Sequence, residues 1–265
     1  MTIYWLTIVL ITAFLIIVIF KKRKARLPIP KTTMPPVVAN PRATTGFKFI
    51  EAVEKYTITD INKLQTIAID SEAEDSHRKA TDSLTGTGRC TTALAGLCFS
   101  TIEQIGLMLR NDLTTTNDVV KAIKGENKEN AYFFFSFFSS QGLQLLQPAE
   151  IEAAYYLLRN KITHNLFPKH GLGVAQNMAN PLNQFIILIN GSYSLNVNFL
   201  SEYIKNAVPI LKGLLSDYRN AGLILNVDNN LQRIATEELN IVKNQYRSNP
   251  RLQTYYSRWL PHINF

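Results

Sequence analysis

The sequence has little of what metal and cofactor sites need. It contains two cysteines and four histidines in 265 residues, and neither type falls into the spacings of metal-binding motifs. The motifs C-x-x-C and H-E-x-x-H are absent, as are the glycine-rich phosphate-binding patterns G-x-x-x-x-G-K-[ST] and G-x-G-x-x-G. The sequence therefore predicts no metal site and no cofactor.

The two cysteines, Cys90 and Cys98, are eight positions apart. On one helix this spacing separates their Cα atoms by about 12 Å, which is too far for a disulfide bond. Two unpaired thiols are typical of a protein in a reducing compartment. We therefore expect free thiols and a cytosolic setting for this part of the chain.

Acidic residues are missing from the first 50 positions, which carry eight lysines and arginines. The whole chain has 28 basic and 20 acidic residues, and a formal net charge of +8. Taking those eight bases away leaves 20 bases against 20 acids in positions 51–265. The positive charge thus belongs to the N-terminal segment, and it is not evidence for a broad nucleic-acid-binding surface.

Residues 2–20 carry no charged side chain. As a helix they span about 28 Å, close to the hydrocarbon thickness of a bilayer. Tyr4 and Trp5 stand at one end, and the basic run 21–24 follows the other. A cleaved signal peptide carries its bases before the apolar run. We predict a single transmembrane anchor with its N-terminus outside and the remaining chain cytoplasmic, with a buried core helix or a signal sequence as the alternatives.

Residues 21–46 are predicted to link the anchor to the rest of the chain. The segment holds five prolines, which are Pro28, Pro30, Pro35, Pro36 and Pro41. Proline lacks an amide donor and disfavours helix before it, so the segment should be extended and semi-stiff. Its bases are expected to contact anionic headgroups of the lipid bilayer. A simple stop-transfer signal explains the same charges.

Residues 47–265 predict a mainly α domain, a helical bundle with one β-hairpin. Apolar periodicity or capping residues predict helices at 47–69, 91–110, 117–124, 148–166, 200–219 and 229–246. Asn117 is the predicted cap of the third helix, and Pro148 is predicted to open the fourth. Tyr132–Phe138 holds six aromatic residues. These form either core packing or an exposed surface for a partner or lipid.

Residues 185–199 predict the hairpin. Phe185–Ile189 is a short apolar run, and Asn190-Gly191 after it is a favoured two-residue turn. Apolar residues then alternate with serine and asparagine as far as Phe199. This period of two predicts a second strand with one buried and one polar face.

One group of residues could support catalysis. The predicted helix 148–166 contains the run Arg159-Asn160-Lys161-Ile162-Thr163-His164. At 100° per residue, Asn160 and His164 lie opposite an apolar stripe. The stripe consists of Ile151, Ala154, Tyr155, Leu158 and Ile162. The pattern predicts that His164 faces solvent or a partner subunit, and does not lie in the core of its own protomer.

The run from Arg159 to His164 resembles the R-(N/D/H)-x-x-x-H motif of HEPN domains. The resemblance covers roughly residues 47–170 and depends on this motif and on the order of the helices. HEPN domains are small helical bundles that pair with their motif helices facing each other. Members with this motif are commonly metal-independent endoribonucleases. The resemblance therefore implies a homodimer with one composite cleft.

The same resemblance implies roles for individual residues. His164 would activate the ribose 2′-hydroxyl or protonate the leaving oxygen, and Arg159 would bind the scissile phosphate. Asn160 would orient His164 or the phosphate. The candidates for substrate binding are Lys161, Lys169 and His170. The alternative for all of them is a solvated polar helix face without catalysis.

The predicted anchor and the resemblance to HEPN domains together imply a membrane-anchored, HEPN-like, metal-independent endoribonuclease, of the kind that acts in toxin or defence systems. Because positions 51–265 are neutral, any contact with RNA is expected in a local cleft. The first alternative is a non-catalytic, membrane-tethered module for dimerisation, nucleotide sensing or protein interaction. The second is a purely structural membrane protein.

Overall fold

The computed structural model describes residues 40–67, 91–125, 127–156, 172–175, 184–189 and 192–251. All of them belong to the unit Val38–Phe265. The predicted anchor at residues 2–20 and most of the predicted linker 21–46 lie outside the described residues. The last linker residues are described, and they are helical, because Pro41–Ala43 form a 3-10 turn.

The described residues contain seven α-helices and three strands. In chain order these are α1 Thr45–Ala52, α2 Thr91–Leu109, α3 Thr116–Lys124, α4 Asn127–Ser140, α5 Pro148–Ala154, β1 Leu172–Ala175, β2 Ile186–Ile189, β3 Ser192–Asn196, α6 Val197–Ser216 and α7 Ala221–Ser248. The helical path of α1 continues through a π-helical turn, Val53–Thr57, to residue 67. The prediction of a mainly helical fold is confirmed.

The central helix of the core is α2. It packs against α4, α6 and α7. Its fully buried residues share one broad face, and they include Leu94, Ala95, Cys98, Ile102, Ile105 and Met108. Among the described residues, α2 is the one helix long and apolar enough to cross a membrane, and 61% of it is buried inside the fold. Such burial is what the core helix of a globular unit shows.

The aromatic run predicted at 132–138 lies on α4 and packs mainly into the core. Phe134, Phe135 and Phe138 are fully buried. The Phe135 ring meets the ring of Tyr203 on α6 edge-on, with centroids 5.1 Å apart. The ring centroids of Phe134 and Phe138 lie 4.8 Å apart. Of the two interpretations left open by the sequence, core packing is the one that the structure supports.

The predicted hairpin is confirmed in part. Strands β2 and β3 pair antiparallel, with Ile189 opposite Ser192, as a two-residue turn between them requires. The sequence did not predict β1, which pairs parallel with β3 and gives the sheet order β1-β3-β2.

The second strand is shorter and more buried than predicted. It ends at Asn196, because the Asn196 side chain accepts a hydrogen bond from the Phe199 amide at 3.4 Å and caps α6. Ser194 and Asn196 are buried, so the expected solvent-facing polar face was wrong. For Asn196 the physical reason is that its side chain is bonded inside the fold, where its Nδ2 also donates to the Gln184 carbonyl at 2.9 Å.

Three helix boundaries also differ from the prediction. Thr115, and not Asn117, caps α3, because its hydroxyl and the Asp118 carboxylate form a reciprocal capping box. Helix α6 begins three residues earlier than predicted, and it continues through Pro209. Helix α7 begins at Ala221, directly after the 3-10 turn Tyr218–Asn220.

The cysteine that the structure describes is a core residue. Cys98 is a free thiol and fully buried. Its Sγ lies 3.6 Å from the Ser201 hydroxyl, and burial raises the pKa of the Cys98 thiol to about 12. The thiol is therefore protonated and unreactive at neutral pH. Cys90 lies outside the described residues.

Candidate functional site

The predicted motif follows helix α5, whose first turns the structure describes. Pro148 occupies the first helical position, as predicted. Ile151, Ala154 and Tyr155 are buried, whereas Tyr156 is exposed. The described part of the predicted apolar stripe therefore does face the core.

Helix α5 is attached to two neighbouring helices. The Tyr155 ring meets the ring of Phe99 on α2 edge-on, with centroids 5.2 Å apart. The Tyr132 hydroxyl on α4 donates a hydrogen bond to the Pro148 carbonyl at 3.0 Å. These contacts fix the position of α5 on the core. The predicted helix 148–166, which contains the motif, begins with α5.

The predicted site residues themselves lie outside the described residues. This applies to all six candidates, Arg159, Asn160, Lys161, His164, Lys169 and His170. Their roles therefore remain predictions from the sequence.

Among the described residues, a polar cavity lies beside α3 and the start of α4. Its volume is about 510 Å³, and it is lined by Arg110, Asp112, Asp118, Lys121, Gly125, Lys128 and Glu129. The lining has three bases and three acids, so it does not present a field of one sign to a charged ligand.

The buried charge of this cavity is Arg110. Its Nε and Nη2 donate to the two carboxylate oxygens of Asp112 at 2.8 and 2.7 Å. Its Nη1 donates to Asn130 Oδ1 at 3.0 Å, and the guanidinium lies 5.1 Å from the centre of the Phe133 ring. These contacts use three of its five N–H donors, so Arg110 holds the fold together.

The backbone at the end of α2 is held by amide side chains of α7. Asn230 Nδ2 donates to the carbonyls of Met108 at 3.0 Å and Arg110 at 2.6 Å. Asn226 Nδ2 also donates to the Arg110 carbonyl, at 3.1 Å. The last carbonyls of a helix have no partner within it, and here α7 provides one. We call this set the α2 clamp; its members are Arg110, Asp112, Asn130, Asn226 and Asn230.

The clamp predicts a dependence of stability on pH. The hydrogen bonds from Arg110 lower the pKa of Asp112 below the ordinary value of 3.8. A carboxyl whose pKa falls on folding stabilises the fold above the unfolded pKa, and this contribution disappears as pH falls through the folded pKa. The effect is small, because the Asp112 side chain is 48% exposed.

We therefore expect Asp112→Asn to be less stable than the unmodified protein at pH 5 to 7, and this difference to shrink below about pH 3. Urea denaturation followed by circular dichroism at several pH values measures it. The control is Asp60→Asn, which changes an exposed residue beyond α1. A difference that stays constant down to pH 2 would show that the Asp112 carboxylate is not what the clamp uses.

Comparison of the chain with models of protein families, with curated proteins and with solved structures found no match. The resemblance to HEPN domains therefore depends on the motif from Arg159 to His164 and on the helix order predicted from the sequence.

Proposed function

We propose that this chain is a membrane-anchored, metal-independent endoribonuclease whose catalytic residues are Arg159 and His164. The observation that carries the proposal is the R-N-x-x-x-H motif, together with its position after α5. The described start of that helix buries the face that the sequence assigned to the core. On the predicted helix, this leaves Asn160 and His164 on the opposite face.

The proposed chemistry is an internal phosphoryl transfer. His164 takes the proton of a ribose 2′-hydroxyl, and the 2′-oxygen attacks the adjacent phosphorus. The 5′-oxygen leaves with its electron pair and is protonated by the second His164 of a homodimer. The products are a 2′,3′-cyclic phosphate and a 5′-hydroxyl. Arg159 stabilises the charge that develops on the phosphate, and Asn160 orients the imidazole.

The proposed substrate is single-stranded RNA bound in a small cleft. The neutral charge of positions 51–265 does not favour long stretches of phosphate contact. Residues near the motif provide the local positive charge, and they are Lys161, Lys169 and His170.

The test is RNA cleavage by the purified full-length protein in detergent and EDTA. Arg159→Ala and His164→Ala should each lower the cleavage rate about 100-fold or more, because each removes an acid–base or charge-stabilising group. The matched controls are Arg258→Ala and His262→Ala, which change the same residue types outside the motif. Cleavage that survives both motif substitutions would exclude this site.

We further propose that residues 2–20 span a membrane once, with the rest of the chain in the cytoplasm. The support is the uncharged run followed by the bases at 21–24. The full-length protein should stay in membranes washed with carbonate at high pH, and deletion of residues 1–24 should release it. Release of the full-length protein by the same wash would contradict the anchor.

A second candidate function is a membrane-tethered dimerisation module without catalysis. It is favoured by the neutral charge of positions 51–265, since RNA-binding surfaces are usually basic. The cleavage assay separates the two candidates, because this one predicts a dimer that leaves RNA intact.

A further inference from the structure

Helix α7 extends beyond the core of the fold. Its residue Ile234 is buried in a small apolar cluster with Leu107, Leu113, Val119 and Ala122. Among the residues whose burial the structure describes, none between 235 and 251 is buried. The last turns of α7 therefore stand on the surface.

This exposed part of α7 carries a row of apolar residues. Ala235, Leu239 and Val242 follow at steps of four and three, and the sequence continues the spacing to Tyr246. Leu239 is 45% and Val242 is 46% exposed. Isolated apolar residues are common on protein surfaces, but alternating steps of four and three are typical of the seam of a coiled coil.

The flanking charges indicate which partner fits the row. With Leu239 at position a and Val242 at position d of a heptad, Glu238 takes position g and Lys243 takes position e. In a parallel pair, position g of one helix faces position e of the next heptad in the other. Two copies of α7 would thus form the Glu238–Lys243 pair twice, once on each side of the seam.

An antiparallel pair lacks this complementarity. There position g faces position g, so that Glu238 would lie against Gln245 and form no ion pair. The charges therefore favour a second copy of this chain in parallel orientation.

We propose that residues 235–246 of α7 form a parallel two-stranded coiled coil with a second copy of this chain. Residues 235–246 do not include Arg159 or His164, and the proposed pairing does not depend on RNA cleavage. A seam of two heptads is weak on its own. The proposed membrane anchor strengthens it, because it confines both copies to one plane and raises their effective concentration.

Disulfide cross-linking of the full-length protein in membranes tests the contact, in a background in which Cys90 is replaced by serine. Leu239→Cys and Val242→Cys should each give covalent dimers under mild oxidation, since a parallel seam brings identical positions together. Asn244→Cys is the control, because residue 244 lies on the opposite face of α7 and is exposed. It should give few dimers.

Two outcomes overturn the proposal. If neither seam position cross-links, another segment or lipid covers this face. If cross-links form only between protein with Leu239→Cys and protein with Val242→Cys, the pair is antiparallel.

A charge exchange tests the orientation independently. Glu238→Lys should lower the cross-linking yield of Leu239→Cys about fivefold, because it sets like charges opposite each other twice. Adding Lys243→Glu to the same chain should restore the yield. Glu237→Lys, on the opposite face, is the matched control and should leave it unchanged. If the double exchange does not restore the yield, the Glu238–Lys243 pair does not form.

The inference and the proposed function can fail separately. Protein with Arg159→Ala should cross-link through Leu239→Cys as well as protein with the motif intact, whether or not either cleaves RNA.

Discussion

Gly106→Ala is expected to destabilise the fold by about 3 kcal/mol or more, and it can prevent folding altogether. Helices α2 and α4 cross closely at this residue. A Cβ atom on Gly106 would lie 1.8 Å from the Asn130 carbonyl oxygen and 2.6 Å from its carbon. Both atoms belong to the backbone of α4, so no side-chain rotation relieves the overlap. The whole of α4 would have to move, together with its buried phenylalanines.

The matched control is Gly96→Ala on the same helix. Apart from the adjoining residues and backbone of α2, no atom lies within 4 Å of a Cβ added at Gly96, and alanine favours helix over glycine by about 0.8–1 kcal/mol. This substitution should leave the protein as stable as before or more stable. Thermal unfolding followed by circular dichroism compares the two. Equal stability of both variants would show that α2 and α4 do not approach as closely as described.

Arg110→Met is expected to cost about 2–4 kcal/mol, the second largest effect. The substitution keeps a long apolar side chain but removes every donor. The buried Asn130 oxygen then loses its hydrogen bond, and Phe133 loses its cation. Arg110→Lys should recover only a small part, because a lysine cannot reproduce the two parallel hydrogen bonds to Asp112.

The control for Arg110 is Arg219, which makes a similar pair on the surface. Its Nε lies 2.8 Å from Asp217 Oδ2, but its side chain is 77% exposed. Arg219→Met should therefore leave the urea midpoint unchanged. If the two arginine variants had equal stability, the α2 clamp would not contribute more than an exposed ion pair.

The helices with a strong local pattern could be predicted from the sequence. The apolar periodicity of α2 gave its last residue within one position, and Pro148 gave the first residue of α5. The buried rings of α4 were harder, because a continuous aromatic run fits the core and a partner surface equally well. Only the packing of Phe135 against Tyr203 decides between them.

Features that depend on distant parts of the chain could not be predicted. The alternation of β3 is a local pattern, but its parallel pairing with β1 and the burial of Ser194 and Asn196 depend on distant parts of the chain. The α2 clamp could not be predicted either, because it also joins distant parts of the chain. Asn226 and Asn230 are one helical turn apart in the sequence, yet their partners are carbonyls more than 100 positions away.

The residues of the candidate site are predicted from the sequence, and the structure describes only the helix start that precedes them. Helix α5 agrees with the predicted orientation through Tyr155. The motif beyond it remains a prediction from six consecutive residues. The motif predicts one specific reaction, whose products are a 2′,3′-cyclic phosphate and a 5′-hydroxyl.

The end groups of RNA fragments produced by the full-length protein in EDTA test the proposed reaction most directly. Attack by the 2′-oxygen, with His164 as the base, predicts 2′,3′-cyclic phosphate and 5′-hydroxyl ends, and their loss in His164→Ala. Fragments with 5′-phosphate ends, or cyclic phosphates formed equally well by His164→Ala, would contradict a catalytic role for this motif.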